Sequence, residues 1–232
     1  MDIEATVLFD YDGTVRLGWE HSSHYARLVA DGLPEDDRRA FLAAHDAFSS
    51  GRPTTGPVCD AHDPDNAVRR LARQYGVADA ARQAAYEETR ERMAQGEFKI
   101  WAPDGLHELL RSLPEGVEAA LVTNAPAASL GPSLTRLGLD GLFDRVVGDA
   151  RKPDGLAPIL DELLDGREAR TLLSIGDIPR NDLAPAADRG CATAYIDHFG
   201  RPWPRADASA PTPEALWPFV RSWVGRHVAA GI

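Results

Sequence analysis

From Trp101 onward the chain alternates between two hydrophobic periods, and this alternation limits its possible folds more than any other feature. Leu106, Leu109, Leu110 and Leu113 form a helical stripe, followed by a strand at residues 117–122 that ends at Thr123-Asn124. Leu130, Leu134 and Leu137 line the next helix, and a short strand at 145–147 ends near Gly148-Asp149. Leu156, Ile159, Leu160, Leu163 and Leu164 mark a helix before a strand at 171–175 that ends in Gly176-Asp177. A helix at 182–189 and a strand at 192–196 follow. Leu216, Phe219, Val220, Trp223 and Val224 give a C-terminal amphipathic helix whose apolar face belongs on the core. Helices alternating with short strands predict a parallel sheet covered on both faces.

One strand stands apart from this series. Ala5-Thr6-Val7-Leu8 is a short apolar run, and residues from about 20 to 96 carry no strand pattern. Helices are expected at 24–30, 34–48, from Asp63 with Pro64 in its first turn, and at 78–95 before Gly96. A polar Gly/Pro loop, Ser49 to Pro57, separates the second and third. The reading is therefore an α/β core built from residues 1–15 and 100–232, with an all-helical insert at 16–99.

Ligands of such sheets bind at the carboxyl ends of the strands. The first strand ends in Phe9-Asp10-Tyr11-Asp12-Gly13-Thr14. Residues i and i+2 of a strand point to the same side, so Asp10 and Asp12 can face one reacting centre, one as nucleophile and the other as proton carrier. An Asp-Gly turn would by itself account for Asp12-Gly13. Thr123, Lys152 and Asp177 also fall at or just beyond strand ends, as expected of one site assembled from four distant segments. Lys152 is one of only two lysines, the other being Lys99.

The formal charge of −11 disfavours nonspecific binding to nucleic acid or to an anionic membrane. An anionic substrate then requires local positive charge. Cys59 and Cys191 have no metal-ligand spacing and are expected as small, semi-buried residues. Neither a signal peptide nor a membrane-spanning run is seen, and the expected location is the cytoplasm, as a monomer or homodimer.

Taken in order, the motifs resemble those of the haloacid dehalogenase-like hydrolase superfamily. Asp10-Tyr11-Asp12-Gly13-Thr14 matches the first, Leu121-Val122-Thr123-Asn124 the second and Lys152-Pro153 the third, while Gly176-Asp177 with Asp182 matches the fourth. The resemblance covers nearly the whole chain. It implies a Rossmann-like core, with the helical insert as a C1-class cap. It further implies a phosphatase acting on a small phosphorylated metabolite through an aspartyl-phosphate on Asp10. Two unit charges at ~4 Å interact by about 4 kcal/mol at an effective dielectric near 20, so a carboxylate attacking a phosphate needs counter-charge. Mg²⁺ suits that need through its preference for hard oxygen ligands. By the resemblance, Asp10, the main-chain carbonyl of Asp12 and Asp177 hold the metal, and Asp182 supports its shell or pairs with Lys152. Thr123, Asn124 and Lys152 would bind the phosphoryl group, and Arg52 a second anionic group.

Asp12 discriminates among the branches. A halide leaves without a proton, and the family's dehalogenases lack this second aspartate. Residues 15–98 contain no lysine for the Schiff base of phosphonate-cleaving relatives. A sugar-phosphate mutase and a non-catalytic phosphate-binding module remain the alternatives. His21 and His24 read as ordinary residues of the insert.

Overall fold

A computed structural model describes residues 3–228; the outer limits of the expected core, residues 1 and 232, lie outside the described residues. The chain forms two compact units, one of Met1–Leu17 and Trp101–Ile232 and the other of Gly18–Ile100.

Among the described residues of the first unit, six strands form one parallel sheet: β1 (Ala5–Phe9), β2 (Val117–Val122), β3 (Arg145–Val147), β4 (Leu172–Gly176), β5 (Ala192–Ile196) and β6 (Ala208–Ala210). Their order is β3-β2-β1-β4-β5-β6, which is Rossmann-like. β1 is central, with Val7 beside Ala119 on one side and Leu173 on the other. The order reverses between β1 and β4, so their carboxyl ends flank the crevice of the sheet.

Period-2 alternation divides each central strand between two cores. Ala5, Val7 and Phe9 join Ala119, Leu121, Leu173 and Ile175 on one face. There they pack under α5 (Leu106–Arg111), α6 (Ala127–Leu137) and α9 (Trp217–Val228), which contribute Leu109, Leu130, Trp217 and Trp223. Leu8, Ala120, Val122 and Leu172 face the other way, under Leu156, Leu160 and Leu163 of α7 (Leu156–Leu164) and Ala186 of α8 (Ala184–Asp188). The C-terminal helix thus packs on the core through Trp223 and Val224.

Two local departures from the sequence reading have physical causes. β6 is three residues of Ala-Ser-Ala without a β-branched side chain, and its pairing with β5 defines it. The helix expected at 182–189 is split: Pro179–Leu183 forms a wide π-type turn, and α8 begins only at Ala184. Pro179 opens this turn, where its missing N–H costs no ladder bond, and the wider turn carries Asp182 to a buried position.

The second unit packs α1 (Glu20–Ala30), α2 (Glu35–Ser49), α3 (Pro64–Gln74) and α4 (Asp79–Ala94). Pro64 opens α3, and Asp63 caps it by accepting a hydrogen bond from the Asn66 amide. Tyr25, Phe41 and Leu71 are fully buried, with Tyr25 edge-on to Tyr86 at 5.8 Å between ring centres. Cys59 is exposed and donates to the Thr54 carbonyl, contrary to the semi-buried expectation; Cys191 is buried. No helix among the described residues is long and apolar enough to cross a membrane.

This unit encloses a polar knot. His45 Nε2 lies 3.1 Å from Ser22 Oγ, and His21 Nε2 lies 3.5 Å from Asp65. Burial pushes the His45 imidazole down to about 4, against the attraction of Asp65 and Asp46. An unfolded imidazole takes its proton near 6.5, so the unfolded state binds more protons below that pH. Stability is therefore present above about pH 6.5 and is lost as pH falls towards 4, by up to about 3 kcal/mol. Urea unfolding across that range should show the loss, and His45→Gln, which keeps a partner for Ser22, should remove this component.

Candidate active site

The site lies at the carboxyl ends of β1, β2 and β4. Asp10 is the first residue after β1, and its amide donates to Ile175 O at 2.9 Å, tying it to β4. Lys152 reaches in from the segment after β3. Its ammonium donates to Asp10 Oδ1 at 2.6 Å, Asp182 Oδ1 at 2.6 Å and the Val122 carbonyl at 2.8 Å. All three ammonium hydrogens are therefore engaged, and the three side chains are buried.

Each partner is fixed by its own segment. Asn124 grips the Lys152 backbone twice: its amide NH₂ donates to Lys152 O at 3.0 Å, and its Oδ1 accepts from Lys152 N at 2.6 Å. The second oxygen of Asp182 accepts from Ile178 N at 3.0 Å, while Ser174 Oγ donates to the Asp182 main-chain carbonyl at 2.7 Å. The wide turn at 179–183 brings Asp182 back under Gly176, where a Cβ would stand 2.5 Å from the Asp182 Cβ. Gly13, at φ +86°, leaves no room either: a Cβ there would lie 2.3 Å from Asp177 Oδ2. Gly13 therefore provides both the turn and the space for the Asp177 carboxylate.

Asp10, Asp177 and Asp182 each place one carboxylate oxygen within 4.8 Å of the others. Burial, followed by repulsion from Asp182, raises Asp10 above the usual carboxylate range, against the pull of Lys152. Burial also works against charge on Lys152, but the two carboxylates outweigh it and raise that ammonium. Three clustered carboxylates, two of them bonded to one ammonium, are short of positive charge. Such a set of hard oxygen donors fits a small divalent cation.

The remaining predicted residues are placed as follows. Thr123 is buried just beyond β2, and its Oγ1 accepts from Ala125 N at 3.0 Å, leaving the hydroxyl hydrogen to donate elsewhere. The Asp12 carboxylate lies outside the cluster of three and accepts from Arg16 Nε at 2.7 Å; the metal ligand expected of Asp12 is its main-chain carbonyl. Asn124 holds Lys152 through both ends of its amide. Arg52 belongs to the helical unit, where its guanidinium pairs with Asp46.

Sequence reasoning missed Arg16, Ser174 and His198, whose Nε2 lies 2.6 Å from the Gly13 carbonyl. An arginine four residues after an acidic turn residue was a legible signal for the first. The other two act on main-chain atoms across the sheet, and nothing local marks them.

No family model matches the chain. It is 29% identical over 214 residues to phosphoglycolate phosphatase 1 of Pseudomonas aeruginosa, covering 84% of this chain and 71% of the relative. It is 28% identical over 224 residues to the phosphoglycolate phosphatase of Pseudomonas putida, covering 89% and 74%. Among solved structures, a magnesium-bound protein described as a HAD-hydrolase from Bacillus subtilis shares the fold, with a TM-score of 0.63, 20% identity and coverage of 95% and 100%. These relatives, this fold and the ordered motifs around Asp10, Thr123, Lys152 and Asp177 all agree with the resemblance to the haloacid dehalogenase-like hydrolase superfamily.

Removing one partner of a buried ion network leaves uncompensated charge and typically costs about 3–5 kcal/mol. Lys152→Met should therefore destabilise the protein by about that much in urea unfolding at neutral pH. Adding Asp10→Asn to that variant should recover part of the loss, because it removes one of the two carboxylates left facing each other.

Proposed function

We propose that the protein is a Mg²⁺-dependent phosphatase of a small phosphorylated metabolite, working through an aspartyl-phosphate on Asp10. The observation that carries this reading is the Lys152 ammonium held 2.6 Å from both Asp10 and Asp182 in the crevice of the sheet. That arrangement fixes one oxygen of Asp10 and leaves the other to attack.

Each residue has a distinct task. An Asp10 oxygen forms the new bond to phosphorus as the ester P–O bond breaks. Asp12 gives its proton to the departing oxygen, then takes one from the water that attacks the aspartyl-phosphate. Lys152 and the Thr123 hydroxyl stabilise charge on the phosphoryl oxygens. Asn124 positions Lys152 rather than binding substrate itself. Asp10, Asp177 and the Asp12 carbonyl would hold Mg²⁺, with Asp182 supporting them. When bound, the ion supplies the positive charge that offsets repulsion between the nucleophile and a phosphate dianion.

Gly18–Ile100 is the counterpart of the C1 cap and the expected source of substrate selection. The two Pseudomonas relatives are named for phosphoglycolate, so a short phosphorylated carboxylate is the first substrate to test. Arg52 was the sequence candidate for a second anionic group, but its pairing with Asp46 weakens that assignment. Arg151 is the better candidate. It lines a cavity of about 440 Å³ with Asn124 and Asp149, and holds a left-handed backbone at φ 53° beside Lys152.

The deciding experiment measures inorganic phosphate release from a panel of phosphorylated metabolites, with and without Mg²⁺. Release by the wild type that needs Mg²⁺ and disappears in Asp10→Asn supports the proposal. Metal-independent release, or unchanged release by Asp10→Asn, overturns it; bisphosphate-primed isomerisation without net release would make it a mutase. Independently of turnover, Mg²⁺ should raise the Tm of the wild type and have little effect on Asp177→Asn.

A further inference from the structure

Arg16 is not part of any motif that assigns the site, yet its side chain is only 3% exposed while that of its partner Asp12 is 38% exposed. A long charged side chain ordinarily keeps its head in water, so a buried guanidinium that bonds a more exposed carboxylate calls for a reason. Its Nε donates to Asp12 Oδ1 at 2.7 Å, a charge-assisted bond. The backbone beneath the pair is closed as well. Arg16 N and Val15 N both donate to Tyr11 O, at 2.8 and 2.9 Å, and Gly13 N donates to Arg16 O at 2.9 Å. The two side chains therefore rise from one braced turn and meet across it.

We propose that Arg16 is a positioning residue for proton transfer by Asp12. This rests on the reading of Asp12 as the proton carrier given above. The Arg16 Nε–H can only donate, so Oδ1 must act as an acceptor whether or not the carboxyl carries a proton. The transferable proton is then confined to Oδ2. In the first half-reaction an Asp10 oxygen bonds to phosphorus, the ester P–O bond breaks, and the Oδ2 proton passes to the departing oxygen, giving an alcohol and the Asp12 carboxylate. In the second, water loses a proton to Oδ2 as its oxygen bonds to phosphorus and the Asp10–phosphorus bond breaks, giving inorganic phosphate. Arg16 keeps its hydrogen bond throughout and fixes the orientation from which Oδ2 works. A freely rotating Asp12 would lose that alignment.

A comparison of two leaving groups tests this. An alkyl phosphate needs a proton on its departing oxygen, whereas p-nitrophenolate leaves without one. The parameter kcat/KM reports steps through departure of the leaving group. Arg16→Met should lower kcat/KM for an alkyl phosphate by about 10-fold or more, within the range typical of lost general-acid catalysis, and for p-nitrophenyl phosphate by less than about 3-fold. Arg16→Lys, which can still donate to Oδ1, should fall between the wild type and Arg16→Met. Adding Arg16→Met to Asp12→Asn should cause no further loss on the alkyl ester. Retained p-nitrophenyl phosphate turnover shows that the variant is folded; if Arg16→Met does not fold, Arg16→Lys is read by the same ratio. Equal losses on both esters, or faster alkyl turnover in Arg16→Met, overturn the positioning role while leaving the phosphatase reading intact. No release of phosphate from either ester by the wild type overturns both.

Discussion

The site depends on one buried ammonium. Lys152 lies between the nucleophile candidate Asp10 and the supporting Asp182, with a third hydrogen bond to the Val122 carbonyl. Bringing carboxylates together out of water is unfavourable unless a cation is placed among them. Here the cation comes from a segment far from either carboxylate in sequence, and Asn124 holds its backbone at both the N–H and the C=O. The strands after which Asp10 and Asp182 follow are hydrogen-bonded neighbours, so the fold itself fixes the distance that Lys152 bridges.

Absent side chains contribute as much as present ones. Gly13 and Gly176 stand where any Cβ would collide with Asp177 or Asp182. Their hydrogen atoms allow acidic groups to approach the main chain closely, while Ser174 holds the Asp182 main-chain carbonyl and Ile178 N holds its carboxylate. The result is a rigid acidic cradle supported by the sheet ends rather than by flexible surface loops. Asp12 is the exception, because a neighbour in its own turn, Arg16, orients it.

The α/β class and the order of elements were legible because hydrophobic period changes sharply along the chain. Strands β2 and β5 fall where the apolar runs place them, and β4 lies within one residue of its predicted limits. Asp10, Lys152 and Asp177 were legible as candidates because carboxylates and a scarce lysine occurred at strand ends, whereas Asp182 entered only through the motif resemblance. Their mutual distances were not, since side-chain geometry depends on turns with no periodic signal. The turn at Pro179–Leu183 reads as part of a helix, and β6 carries no strand-forming side chains. Asn124 reads as a substrate ligand until its two bonds to the Lys152 backbone are seen, and Arg52 reads as free until Asp46 is found beside it.

The central position of β1 also constrains how the chain can fold. Thr6 lies beside Glu118 and Leu172, so both partners of this strand come from far downstream. Gly18–Ile100, by contrast, makes a compact unit from contiguous sequence. Local helical contacts close short loops quickly, whereas inserting β1 requires closing long ones. During synthesis the helical unit can consolidate while the strand leading to Asp10 still awaits β2 and β4. The proposed nucleophile is therefore placed late, by a strand that is among the first parts of the described chain to be made.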